Sequence, residues 1–199
     1  MSKSYTDQRL YTIYEEELNE LTYNPTGLFD KLLHHVLRKF TQTIDLKYTF
    51  TVPVSDFLRG ELFCEDVSVV IGKPFTQTNL ISILLDDFLY QAQHKWNLYD
   101  LYRDLHSGIQ HPIEIFHYSG EREILHINHE TQRNKEIDCT INRKKALRLE
   151  VILSDLANLE PEITFSVNDV LQFIYCHFIQ KYKEGTLTNE LKRIVKRLA

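Results

Sequence analysis

The chain has 199 residues, enough for one domain, with 43% hydrophobic and 26% charged residues, a balance that excludes intrinsic disorder. Its longest apolar runs, such as 80–85, fall far short of the ~20 residues of a membrane-spanning helix. The net charge of −5 argues against a protein that coats nucleic acid through its overall field.

Ser4-Tyr-Thr-Asp7 has the form of a capping box, and Leu10, Ile13, Tyr14, Leu18 and Leu21 recur at helical spacing after it. Asn24-Pro25-Thr26-Gly27 breaks this helix. A second helix is expected to run to about Thr41, with Leu28, Leu32, Val36 and Phe40 on one face, closing an antiparallel helix hairpin. The period then changes to two. Leu46, Tyr48, Phe50, Val52 and Val54 alternate with polar residues and Pro53, which predicts a half-buried strand. Arg59-Gly60 reads as a turn, and 61–71 as a second strand stopped by Gly72-Lys73-Pro74.

From Thr78 or Asn79 to about 106 the spacing of Ile81, Leu85, Phe88, Ala92, Trp96 and Tyr99 predicts a long central helix, with a bend expected at Asn97. Pro112–Tyr118 and Glu123–His129 flank Ser119-Gly120-Glu121-Arg122 and read as a hairpin in which Tyr118 faces Glu123 and His117 faces Ile124. A further pair of strands is expected at 136–141 and 147–153 around Asn142-Arg143-Lys144-Lys145, although the apolar spacing of 149–156 also suits a short helix. Two amphipathic helices close the chain. The first spans Val167 to Tyr182 after the capping box Ser166–Asp169 and ends at Gly185; Thr186 or Thr188 caps the second. These elements predict a single α+β domain over 1–199. Its parts are an N-terminal helix hairpin, a mostly antiparallel sheet of about six strands, a long central helix and a C-terminal helix pair.

Charge is segregated along the chain. Residues 1–60 carry net −1, residues 61–130 net −7 and residues 131–199 net +3. Three basic residues, Arg143, Lys144 and Lys145, stand at the expected hairpin tip, and Lys192, Arg193, Lys196 and Arg197 stripe the last helix. Together they form a candidate phosphate-contacting surface, while a solvated helix face accounts for the same residues and is the preferred reading.

Nine histidines are present, and in the expected hairpin register His117 and His126 share a sheet face, where two imidazoles and a carboxylate can hold a divalent metal. Their spacing matches no zinc signature. Asp86-Asp87 and His94 offer a carboxylate and an imidazole about two turns apart on one helix. Cys64, Cys139 and Cys176 are widely spaced and odd in number, as reduced thiols of a cytoplasmic protein are, and the overall composition resembles that of a small bacterial cytoplasmic protein. The amino terminus lacks the apolar core of a secretory signal, which agrees. The chain shows no glycine-rich phosphate loop and no nucleophile elbow, so no cofactor is expected.

The expected function is therefore that of a non-enzymatic interaction protein which self-associates, the acidic 61–130 region of one copy facing the basic 131–199 region of another in a dimer. A nucleic-acid-binding accessory factor and a metal-dependent hydrolase are the alternatives.

Overall fold

A computed structural model describes residues 11–23, 27, 44–94, 96–108, 113–116, 122–125, 133–161, 164–187 and 190–198. The elements among them are α1 (Thr12–Thr22), β1 (Asp45–Pro53), α2 (Val54–Ile71), α3 (Gln77–His94), α4 (Leu98–Gly108), β2 (Ile113–Phe116), β3 (Arg122–Leu125), β4 (Asn134–Asn142), α5 (Arg143–Leu159), α6 (Val167–Lys183) and α7 (Glu190–Leu198). The described residues are mostly helical, and their strands form two separate two-stranded sheets, β1 with β4 and β2 with β3. The expected sheet of about six strands is thus corrected. The second arm of the expected N-terminal helix hairpin lies outside the described residues.

Two of the missing strands are helices. Residues 61–71 continue α2, which starts directly after Pro53 at the end of β1. Gly60, Phe63, Cys64 and Val67 are buried at three- and four-residue steps, a helical rhythm that overrides the strand preference of Val67, Val69, Val70 and Ile71. Residues 147–153 lie within α5, where Ala146, Leu149, Glu150, Leu153 and Leu156 are buried at the same steps. The Asn142 side chain accepts a hydrogen bond from the Lys144 amide and starts α5 where a hairpin tip was expected. The central helix is two helices. The Asn97 side chain accepts from the Asp100 amide at 2.8 Å and caps α4, so the expected bend is a complete break.

The β2/β3 hairpin pairs Glu114 with Ile124 and Ile115 with Glu123. This is three residues away from the expected pairing of His117 with Ile124, and an odd shift exchanges which positions share a face of a ribbon. His117 and His126 themselves lie outside the described residues.

The β1/β4 ribbon is antiparallel. The Val54 amide donates to the Arg133 carbonyl at one end, and the Arg143 amide to the Ile44 carbonyl at the other. Thr49 donates across the middle to Asp138 at 2.7 Å.

The chain divides into two compact units, Met1–Lys47 with Thr140–Val167, and Tyr48–Cys139 with Asn168–Ala199. In the first, α1 packs on α5. Tyr11, at the N-cap of α1, supplies no side-chain cap. The buried Glu150 carboxylate takes that place by accepting from the Tyr14 amide at 2.8 Å. Arg143 donates to Glu16 at 3.0 Å and to Glu17 at 3.4 Å. Ile13 is buried, whereas Leu18 and Leu21 of the expected apolar face are exposed.

The second unit buries Phe50 and Val52 of β1, Phe63 and Val67 of α2, Leu80 to Leu89 of α3 at helical steps, and Leu171, Tyr175 and Ile179 of α6. Tyr175 ties three helices together. Its hydroxyl donates to Gln77 Oε1 at 2.9 Å and lies 3.4 Å from the Asp56 carbonyl, and its ring meets Phe50 edge-on. Gly60 gives the room: a Cβ there would stand 1.9 Å from the Tyr175 oxygen. Gly72 and Gly185 end α2 and α6 at φ values of 67° and 70°, where glycine avoids the strain of a side chain. Thr186 donates back to the Lys181 carbonyl and so finishes α6, and Thr188, the other expected cap of α7, lies outside the described residues.

Candidate functional site

The residues singled out by sequence fall in both units. Arg143 is 8% exposed and engaged by Glu16 and Glu17, Lys144 is exposed, and Lys145 is half-buried. These three belong to the first unit, while Lys192, Arg193, Lys196 and Arg197 belong to the second. On α7, Lys192 and Lys196 face solvent, but Arg193 and Arg197 both bind Asp87 of α3. Asp87, the acid considered as a base, thus faces two arginines. His94 stacks on Tyr90 and places Nδ1 2.9 Å from the Tyr90 carbonyl. Among the described residues no group of three or more His, Cys, Asp or Glu side chains can hold a metal ion.

The thiols are held protonated. Burial, with Glu61 adding to it, pushes Cys64 up to about 12. Burial with Asp138 pushes Cys139 to about 11, and burial with Asp56 pushes Cys176 to about 12. A nucleophilic cysteine requires the opposite shift.

A cleft of about 580 Å³ lies within the second unit between α3, α4, α6 and the start of α7. Trp96 and Phe88, which meet edge-on at 5.8 Å, and Phe173 form its apolar walls. Asp87, Asp104, His177, Lys181 and Arg193 bring charge of both signs to it. His177 stacks on Phe173 at 5.4 Å. Partial burial and the Lys181 ammonium hold the imidazole below its ordinary range, against the opposing pull of Asp104 and Glu184.

The feature that sequence reasoning missed is the outward side of α2. Val54, Leu58, Leu62 and Val69 are 41%, 55%, 52% and 80% exposed. Helical geometry puts them in one stripe opposite the buried Gly60, Phe63, Cys64 and Val67, so α2 is apolar on both sides. Glu61 and Glu65 are exposed along the same stripe. Beside it runs a groove of about 650 Å³ whose walls are α2 from Phe57 to Ser68, the segment 75–78, and β4 from Lys135 to Asp138. Lys135 Nζ sits 5.7 Å above the Phe57 ring. The signal is present in the sequence as the four-residue steps 54, 58 and 62, hidden because Val54 reads as the end of one strand and Leu62 as part of a second, with a turn at Arg59-Gly60 between them.

Among the described residues no helix is long and apolar enough to cross a membrane. No family model, curated protein or solved structure matches this chain.

Proposed function

We propose that this chain acts by binding protein, and that its contact surface is the outward side of α2. The partner is an apolar segment carrying lysine or arginine. The observation that carries this reading is the exposed stripe Val54, Leu58, Leu62 and Val69, set opposite a fully packed face of the same helix. Four large aliphatic side chains aligned on one exposed helix face are the mark of a contact surface, unlike single scattered ones. Glu61 and Glu65 within the stripe favour cationic partners and repel acidic ones. The 580 Å³ cleft supports the reading less directly, because its acids and bases offset one another.

A second copy of the chain is a favoured source of such a partner. Residues 131–199 carry net +3 against −7 in 61–130, and α5 exposes Lys144, Arg148 and Val151. The resulting assembly is a salt-sensitive dimer, in the cytoplasm that the free thiols suit.

The test is a titration of the protein with a labelled apolar peptide bearing lysines and with the same peptide bearing glutamates. Saturable binding of the lysine form, lost in the Leu58→Glu/Leu62→Glu variant, is expected. Equal binding by that variant overturns the reading. Light scattering across concentration and salt decides the dimer, and a monomer under every condition removes it.

A further inference from the structure

We infer that the partner segment is bound as an added β-strand on the free edge of β4, in the groove beside α2, and that it alternates apolar with basic residues. This rests on the reading of α2 as a protein-contact surface, and adds how the segment is held.

The edge follows from the ribbon's register. Val54 with Arg133 and Ile44 with Arg143 are backbone-bonded pairs ten residues apart on each strand. Bonded and non-bonded pairs alternate along an antiparallel ladder. Lys135, Ile137 and Cys139 therefore spend their N–H and C=O groups on β1. Asn134, Glu136 and Asp138 direct theirs to the opposite side. The Thr49–Asp138 side-chain bond agrees, since side chains approach most closely in the non-bonded pairs. Among the described residues no strand pairs with that second side of β4.

The groove runs along this stretch. Its β4 wall is four consecutive residues, 135–138, as an edge-on approach requires, since a sheet face presents alternate residues only. Its other wall is α2, with Leu58, Leu62 and the Phe57 ring available to apolar side chains. Backbone donors and acceptors that no described strand takes, beside an apolar wall, are the two halves of strand addition: the main chain supplies affinity, and alternate side chains supply selectivity.

Charge sets the chemistry of the occupant. Among the described residues lining the groove, Glu61, Glu65, Glu136 and Asp138 outnumber the cation Lys135. The basic side of a strand whose alternate residues are Lys or Arg meets Glu136 and Asp138, which share the ribbon face that Thr49 reaches, while its apolar side rests on Leu58 and Leu62 of α2, with Glu61 and Glu65 at the rim of that wall. Charged groups on an edge also discourage neutral or acidic strands, so the same residues select as well as attract.

The experiment uses the full chain and four synthetic peptides of about eight residues, a usual strand length. The first alternates valine and lysine. The second has the same sequence with alternate backbone nitrogens methylated, which removes ladder donors and leaves the charges. The third alternates valine and glutamate. The fourth is a lysine-rich amphipathic helix. Fluorescence anisotropy is expected to show binding of the first peptide, about tenfold or greater weakening on methylation, and no binding of the third. The Glu136→Lys variant, altered at one exposed position of β4, is expected to weaken the lysine peptide about tenfold or more and to strengthen the glutamate one. Undiminished binding of the methylated peptide, or tighter binding of the helical one, overturns strand addition and leaves the α2 surface standing. Failure of all four peptides overturns both.

Discussion

Asp87 of α3 accepts a 2.9 Å hydrogen bond from Arg193 of α7, and the same carboxylate is bound by Arg197, one turn further along. One acid thus engages two of the four α7 cations that the sequence offers as part of a candidate phosphate-contacting surface. Ile194, buried on the flank of α7 next to Arg193 and Arg197, completes the attachment. Asp87 is 17% exposed in its side chain and the arginines about half exposed, so salt screens the pair in part. Asp87→Asn is expected to destabilise the fold by about 1 kcal/mol. It should also speed amide exchange in 190–198 more than in α6. Uniform exchange rates in the variant and the parent would show that α7 is held by packing alone.

Glu150 predicts an inverted pH response. Burial raises its carboxyl above the ordinary value of 4.5, although the Tyr14 and Ile13 amides and Arg143 pull it down. In the window above 4.5 the unfolded chain has released this proton while the folded chain keeps it. Stability from this group is therefore complete below that value and declines as pH rises through the folded value. Glu150→Gln keeps an acceptor for the Tyr14 amide and has no charge to bury. Denaturant titrations from about pH 4 upward should show a shallower decline for Glu150→Gln than for the parent. Parallel curves would refute the assignment.

Gly60 and Tyr175 are a matched pair. A methyl group at 60 collides with the Tyr175 hydroxyl, which is itself bonded to Gln77. Gly60→Ala gains helix propensity of roughly 1 kcal/mol but forces the ring to move, and overpacking of this kind costs about 1–3 kcal/mol. A net loss of stability is expected. Tyr175→Phe loses the bond to Gln77, yet the double variant should be more stable than the sum of the two single effects. Additive losses in thermal unfolding would mean that the two positions relax independently.

Legibility tracked how far each segment's pattern was local. β1 was readable because Phe50 and Val52 are buried while Thr49 and Thr51 are exposed, a period of two. α6 was readable because Val170, Leu171, Ile174, Tyr175, Phe178 and Ile179 form one buried helical stripe. α2 was not, because its apolar residues lie on both sides: Leu62 and Phe63, or Val67 and Val69, look equally good in a strand. α5 failed for a related reason, since Arg143-Lys144-Lys145 resembles an exposed turn. Cations at a helix start run against the dipole, and Arg143 is instead neutralised by Glu16 and Glu17. Glu16 and Glu17 come from a distant part of the chain, and sequence order alone does not reveal such a partner. The α2 surface, likewise, emerges only once the buried side of that helix is known.

His177 gives the opposite pH dependence from Glu150, in a different unit. Its imidazole is held below the ordinary value of 6.5 by partial burial against Phe173 and by the Lys181 ammonium, and Asp104 and Glu184 oppose this. As pH falls below 6.5 the unfolded chain takes up a proton that the folded chain resists. Stability from this group is thus present above 6.5 and is lost on acidification through the folded value. Lys181→Gln removes the nearby cation and should raise the His177 midpoint, measured by NMR titration of the ring protons. His177→Gln should reduce the loss of stability between pH 6.5 and the parent's midpoint. A midpoint that does not move in Lys181→Gln would leave burial as the whole cause, and a rise in Asp104→Asn would reverse the stated role of that carboxylate.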